Sequence, residues 1–170
     1  MVRFNRDFFM RPTLTVAQEL LGQRLVFGDK SGLICETEAY IGENDPACHA
    51  AAGKTNRTRT MYAIGGTVYV YLIYGMYHCL NFVTEQEGFP AAVLIRAIHI
   101  DGIDGKKLNG PGKLCRYLGI TKEQNGADLT RNKSFFVEET NLHPPFETTP
   151  RIGISKGTDK LWRFKAQLPV

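Results

Sequence analysis

The stretch Thr67–Val83, TVYVYLIYGMYHCLNFV, decides how the rest of the chain is read. Val68, Val70 and Leu72 alternate with Tyr69, Tyr71 and Ile73, the period-two pattern of a strand. Gly75 interrupts the run and a second β-prone segment follows at His78–Val83. The stretch therefore reads as a hairpin with Tyr74-Gly75-Met76-Tyr77 at its tip. Hairpin tips face water and are usually small and polar. This one offers two tyrosines and a methionine, a blunt apolar finger that needs something to push against: a protein, a membrane surface or stacked bases.

Two registers are open. A two-residue turn sets Tyr71 opposite Leu80, and a three-residue loop using Gly75 sets Tyr71 opposite Asn81. The second places Tyr69, Tyr71 and Asn81 on one face and Val68, Val70, Leu72, Leu80 and Phe82 on the other. It separates an aromatic wall with one amide from a pure core face, and it is the register expected here.

Outward from the hairpin, the chain breaks into short pieces. Met1–Pro12 reads as irregular, with Phe4, Phe8 and Phe9 tucked onto the core. Thr15–Gln18 has a capping-box pattern ahead of a helix over Val16–Leu21, stopped by Gly22. Strands are expected at Arg24–Phe27 and Leu33–Ala39 around an Asp29–Gly32 turn. Asp45-Pro46 reads as a cap and first-turn proline opening a helical turn through Ala47–Ala52. After the hairpin come a buried strand over Ala91–Ile100, a helix opened by Gly110-Pro111 and running to Leu118, and strands at Ser134–Val137, Arg151–Ile154 and Leu161–Lys165. No repeat, low-complexity run or linker divides residues 1–170. The expectation is one α+β domain around a curved, mostly antiparallel β-sheet, with short helices and a protruding β-hairpin.

Composition narrows the class. With 43% hydrophobic and 22% charged residues the chain has ordinary globular make-up. A net charge of +4 suits a polyanionic partner without requiring one. The four cysteines, Cys35, Cys48, Cys79 and Cys115, form no C-x-x-C pair and no zinc-like cluster. Each sits beside apolar residues, so buried free thiols in a reducing compartment are expected. Neither a signal-peptide core nor an apolar run of membrane-span length is present. The expected location is cytoplasmic, with no metal and no cofactor.

Three groups of residues invite chemistry. Glu36, Glu38 and Tyr40 share one strand face, with Ile34 on the same side, and form either a solvated face or an acid/base site. Arg96 interrupts an aliphatic strand and needs a carboxylate, which Glu36 or Glu38 can supply. This is either a structural ion pair or a guanidinium at a catalytic centre. His49 is a base, a stacking partner or a core histidine. Lys54, Arg57, Arg59, Lys113 and Arg116 suit phosphate contacts as well as they suit a solvated surface.

ETEAY at Glu36–Tyr40, D-x-x-x-H at Asp45–His49, TVYVYLIYGMYHCLN at Thr67–Asn81 and L-I-R-A around Arg96 occur in this order. NGPGKLC at Asn109–Cys115, RIGI at Arg151–Ile154 and WRF at Trp162–Phe164 follow. Together they resemble the alkyladenine (3-methyladenine) DNA glycosylases over roughly residues 20–164. The resemblance implies a monofunctional enzyme of base excision repair that flips a damaged purine from double-stranded DNA and hydrolyses its N-glycosidic bond. It implies that Glu38 is the general base, with Arg96 beside the nucleophilic water. Tyr40, His49 and Tyr71 would line the base pocket, Tyr74 would wedge into the duplex, and Asn81 would meet the base edge and help exclude guanine. A cationic alkylpurine favours such electron-rich rings by roughly 0.5–2 kcal/mol. The segment from Ile100 to Gly110 is shorter than in relatives and the chain stops at Val170 soon after WRF. Few backbone contacts are therefore expected, drawn from Lys54, Arg57, Arg59 and Lys113. A monomer acting on the nucleoid fits this reading. The alternatives are a non-catalytic binder of damaged or distorted DNA, and a protein-interaction domain anchored by Tyr74 and Met76.

Overall fold

The computed structural model describes residues 2–169. Eight strands, β1 (Arg24–Phe27), β2 (Lys30–Ile41), β3 (Val68–Ile73), β4 (Tyr77–Val83), β5 (Ala91–His99), β6 (Phe135–Glu138), β7 (Phe146–Thr149) and β8 (Arg163–Ala166), form one sheet. Every pairing is antiparallel, in the order β3-β4-β5-β2-β1-β6, with β8 against β2 and β7 outside β8. Three short helices, α1 (Arg6–Phe9), α2 (Thr13–Glu19) and α3 (Pro111–Leu118), complete the α+β domain.

β2 is the hub. Along one edge it pairs with β5, and along the other first with β1 and then, at Glu36–Glu38, with β8. The pairing with β5 shifts register between Ile34 and Thr37. That irregularity turns Ile34 into the fully buried core beside Ala39, while Glu36 and Glu38 turn to the other side. Ile34 is thus not on the glutamate face, contrary to simple alternation.

The helices cover one face of the sheet, where Phe9, Val16, Leu20, Leu114 and Leu118 pack against Leu25, Phe82, Val93 and Ile95. A second, smaller apolar cluster of Met61, Tyr62, Tyr69, Val83 and Ala92 lies apart from it, with Tyr40 and Tyr71 packed onto it. Two separate apolar faces on a curved sheet give a helix-backed core and an aromatic basin.

The hairpin forms as its alternation requires, but its register differs by two residues from expectation. The loop is the three residues Tyr74-Gly75-Met76, and Tyr71 lies opposite Cys79 while Tyr69 lies opposite Asn81. A two-residue slip preserves which side chains share a face, so the aromatic wall survives the error. Tyr74 and Gly75 both take positive φ, at 52° and 66°.

Other expectations are corrected by neighbours that lie far off in sequence. Helix α2 starts at Thr13 after Pro12 with no capping box. The carboxylate of Glu85 accepts from the Thr13 amide at 3.0 Å and from its hydroxyl, and so caps the helix from across the fold. The N-terminal segment carries α1, capped by Asn5, and is not irregular. The β1–β2 turn is Gly28-Asp29, because Phe27 pairs Lys30. The turn after Asp45 is a 3-10 helix starting only at His49. Residues 151–154 form no strand, and the strand expected at Leu161–Lys165 begins at Arg163. β7 was not foreseen. Cys48, Cys79 and Cys115 are buried, but Cys35 is only partly covered.

Candidate active site

Glu38 lies at the centre of the basin with a side chain 0% exposed. Its Oε1 accepts from the Tyr40 hydroxyl at 2.9 Å and its Oε2 from the Ile152 amide at 2.7 Å. Arg96 Nη1 stands 3.9 Å from Oε1, an ion pair without a direct hydrogen bond. Burial pushes the Glu38 carboxyl above the ordinary glutamate range, against the pull of Arg96, the Ile152 amide and the Tyr40 hydroxyl. Such a carboxylate is a stronger base than a solvated one.

A cavity of about 390 Å³ opens above it, lined by Glu38, Tyr40, His49, Tyr71, Asn81 and Arg96, with Tyr74 at its mouth. The β2 face supplies Glu38 and Tyr40, β5 supplies Arg96, and the hairpin arms supply Tyr71 and Asn81. His49 and Tyr71 face each other with ring centroids 4.2 Å apart at 59°. His49 Nδ1 is 3.2 Å from the Tyr69 hydroxyl. Burial, with a smaller push from Arg57, lowers the His49 pKa and favours its neutral form. Asn81 is buried, and its Nδ2 donates to Tyr69 O at 3.2 Å and Cys79 O at 3.4 Å. Both neighbours are carbonyls, so the amide nitrogen is fixed toward the hairpin backbone.

Tyr74 is 86% exposed and Met76 59%, so the finger projects into solvent. The cationic residues singled out in the sequence do not converge on the cavity floor. Lys54 lies 5.3 Å from the Tyr62 ring centroid. Arg57 donates to Leu72 O at 2.9 Å with its guanidinium 5.6 Å from the Tyr71 ring. Arg59 is exposed, and exposed Lys113 donates to Asn109 Oδ1 at 3.2 Å. Arg116 lies over the Tyr77 ring at 5.9 Å.

Of the two carboxylates offered to Arg96, Glu36 is the one it hydrogen-bonds, Nε to Oε2 at 2.8 Å. Two further supports were missed from sequence. Arg151 and Asp45 form a fully buried bidentate pair at 2.6 and 2.9 Å. The Arg151 guanidinium also stacks 4.7 Å from the Tyr40 ring, and the next residue supplies the amide that holds Glu38. The clue was RIGI, an arginine at the head of a short apolar motif, which needs an acid if it is buried. Among the described residues, no three His, Cys, Asp or Glu side chains are grouped to hold a metal ion. No helix among them is long and apolar enough to cross a membrane.

Comparison with known proteins matches residues 7–168 to the methylpurine-DNA glycosylase family. Relatives named "Putative 3-methyladenine DNA glycosylase" include one from Sodalis glossinidius, 59% identical over 162 residues, covering 95% of each chain. Another, from Wolbachia pipientis wMel, is 59% identical over 160 residues, 94% of this chain and 89% of the relative. One from Rickettsia peacockii is 58% identical over 159 residues, 94% of this chain and 87% of the relative. The family match spans nearly the whole fold and its basin, and the chain belongs to the methylpurine-DNA glycosylase family.

Proposed function

We propose that the basin receives an alkylated purine turned out of duplex DNA, and that Glu38 is the general base of its hydrolysis. As a member of this family the protein is an N-glycosyl hydrolase of base excision repair acting on 3-methyladenine-type damage. The observation that carries the residue assignment is a fully buried, pKa-raised carboxylate on the floor of an aromatic cavity. Glu38 takes a proton from water as the water oxygen bonds to the sugar carbon. The carbon–nitrogen bond breaks and the base leaves with the electron pair, which a positively charged alkylpurine accepts as a neutral product. Arg96, 3.9 Å from the carboxylate, stands beside the nucleophilic water, and the Tyr40, His49 and Tyr71 rings hold a cationic purine by their π-faces. Asn81 limits the room at the base edge, where an extra amino group is excluded by a side chain that is fixed. Tyr74 fills the gap left in the stack.

One copy carries the complete cavity, which supports action as a monomer. Three buried thiols and one partly covered support a cytoplasmic location with the chromosome. The non-catalytic binder gains nothing from a buried, pKa-raised carboxylate, which costs stability and, once ionised, repels a phosphate. The test is release of 3-methyladenine from methylated duplex DNA by wild type and Glu38→Gln. Gln keeps the shape but takes no proton, so release should fall by at least about 10²-fold with binding to an abasic-site analogue retained. Undiminished release by Glu38→Gln removes Glu38 from the mechanism.

A further inference from the structure

Glu36 is held from two sides. Arg96 reaches it from β5 through Nε alone, at 2.8 Å. Arg163 reaches it from β8 through two bonds, Nε to Oε2 at 3.0 Å and Nη2 to Oε1 at 3.0 Å. The remaining guanidinium nitrogen of Arg163, Nη1, donates to Thr149 Oγ1 on β7 at 2.9 Å, which fixes the fork in place. Strand pairing sets Arg163 opposite Glu38, yet its side chain goes to Glu36. All three side chains are largely covered, at 11–14% exposure.

A guanidinium and a carboxylate left to themselves pair through two parallel bonds. Arg96 does not do so with Glu36. Arg163 occupies Oε1 and shares Oε2, so Arg96 meets Glu36 edge-on and keeps its Nη end for Glu38, 3.9 Å away. We propose that Arg163 is a positioning residue of the glycosylase: by saturating Glu36 it keeps Arg96 turned toward Glu38. The inference rests on Glu38 as the general base.

Remove Arg163 and Glu36 has one counter-ion left. Arg96 then swings to a two-bond pair with Glu36 and away from Glu38. The groups that face Glu38 are Arg96 from β5, Glu36 and Tyr40 from β2, Cys79 from β4, and Arg151 beside the Ile152 amide. Among them Arg96 is the strongest influence holding the Glu38 carboxyl down against burial. Its withdrawal lifts the Glu38 pKa further and leaves less of the base ionised at a given acidic pH.

The experiment is the single-turnover rate of 3-methyladenine and 7-methylguanine release from methylated duplex DNA across pH. Wild type, Arg163→Gln, Arg163→Lys, Glu36→Gln and the Glu36→Gln/Arg163→Gln double variant are compared. Both leaving bases are cationic, so the acid limb reports the base and not protonation of the leaving group. In Arg163→Gln the acid limb should move up by about one pH unit, a roughly tenfold loss on the limb that recovers above it. Arg163→Lys, with one donor point in place of a fork, should fall between. In the Glu36→Gln background Arg96 has no carboxylate to retreat to, so Arg163→Gln should add no shift there. A role confined to anchoring β8 would lower the melting temperature in both backgrounds and leave the limb in place, and that result overturns the proposal. An equal shift with and without Glu36 overturns it too. Glu38→Gln measured alongside separates the cases: activity retained in it ends the general-base reading, whereas loss with an unmoved Arg163→Gln limb ends only this one.

Discussion

Glu38 works against the fold that holds it. Its folded pKa lies above the unfolded value of about 4.3, so between the two the native state binds more protons than the unfolded chain. Stability therefore falls as pH rises through that window and stays reduced above it. Glu38→Gln removes the ionisation. The Gln oxygen can accept from the Ile152 amide and its nitrogen can donate to the Tyr40 hydroxyl, which turns to accept. This variant should then melt above wild type at neutral pH, by about 2–4 °C for each kcal/mol relieved, and the gap should close as pH falls toward 4. Calorimetry over pH 4–8 checks this, and a lower melting point at pH 7 refutes it. Glu36 has the opposite sign. Burial raises its pKa, but hydrogen bonds and charge from Arg163 and Arg96 outweigh burial and hold it low. Its contribution is present at neutral pH and lost as pH falls through its folded value. The motif around Glu38 made that residue legible. The Ile152 amide that holds it was not, because a backbone donor has no residue signature, and the Asp45–Arg151 pair spans 106 positions.

The hairpin is the element whose sequence said most. Alternation gave its strands and faces, and an apolar tip gave its exposure. The register was missed because periodicity fixes parity and not the absolute pairing. The finger's base is set by α3: a Cβ on Gly112 would lie 2.9 Å from Tyr77 Cδ1, so a larger residue there would have to push the Tyr77 side chain off the helix. Tyr74, at the free end, touches little. Tyr74→Ala should change stability by no more than about 0.5 kcal/mol, as for other exposed positions. Excision from duplex should slow, while excision from single-stranded DNA, with little stack to replace, should suffer less. The duplex-to-single-strand rate ratio and the denaturation midpoint, taken on one preparation, decide it. A loss of about 3–5 kcal/mol with an unchanged ratio would mark a core residue and sink the wedge.

Across the whole molecule, the α+β class and the antiparallel sheet were legible from many short strands and few helices. The strand of β8 was legible too, but its pairing with β2 from 127 residues away was not, and β7 was not, since FETT alone is a weak strand signal. The same scale governs affinity. With a net charge of +4 and Lys54, Arg57, Arg59 and Lys113 all exposed, binding to duplex should weaken with salt. If Lys54, Arg57, Arg59 and Lys113 each meet a phosphate, the log–log slope should be about −3.6. Arg59→Gln, which breaks no observed contact, should reduce that slope by about 1. Fluorescence anisotropy on an undamaged duplex measures both, and salt-independent binding would contradict DNA as the partner.

The three-sided pairing of β2 has a consequence for how the protein fails. Around Glu38 the strand is paired with β5 on one edge and with β8 on the other, with β1 next along that edge, so the amides there are shielded from fraying at the strand ends. They open only when the sheet does. Forms that expose the carboxylate must first part β2 from these neighbours. Activity and fold should therefore be lost together on warming, and a thermal inactivation curve that runs ahead of the melting curve would contradict this.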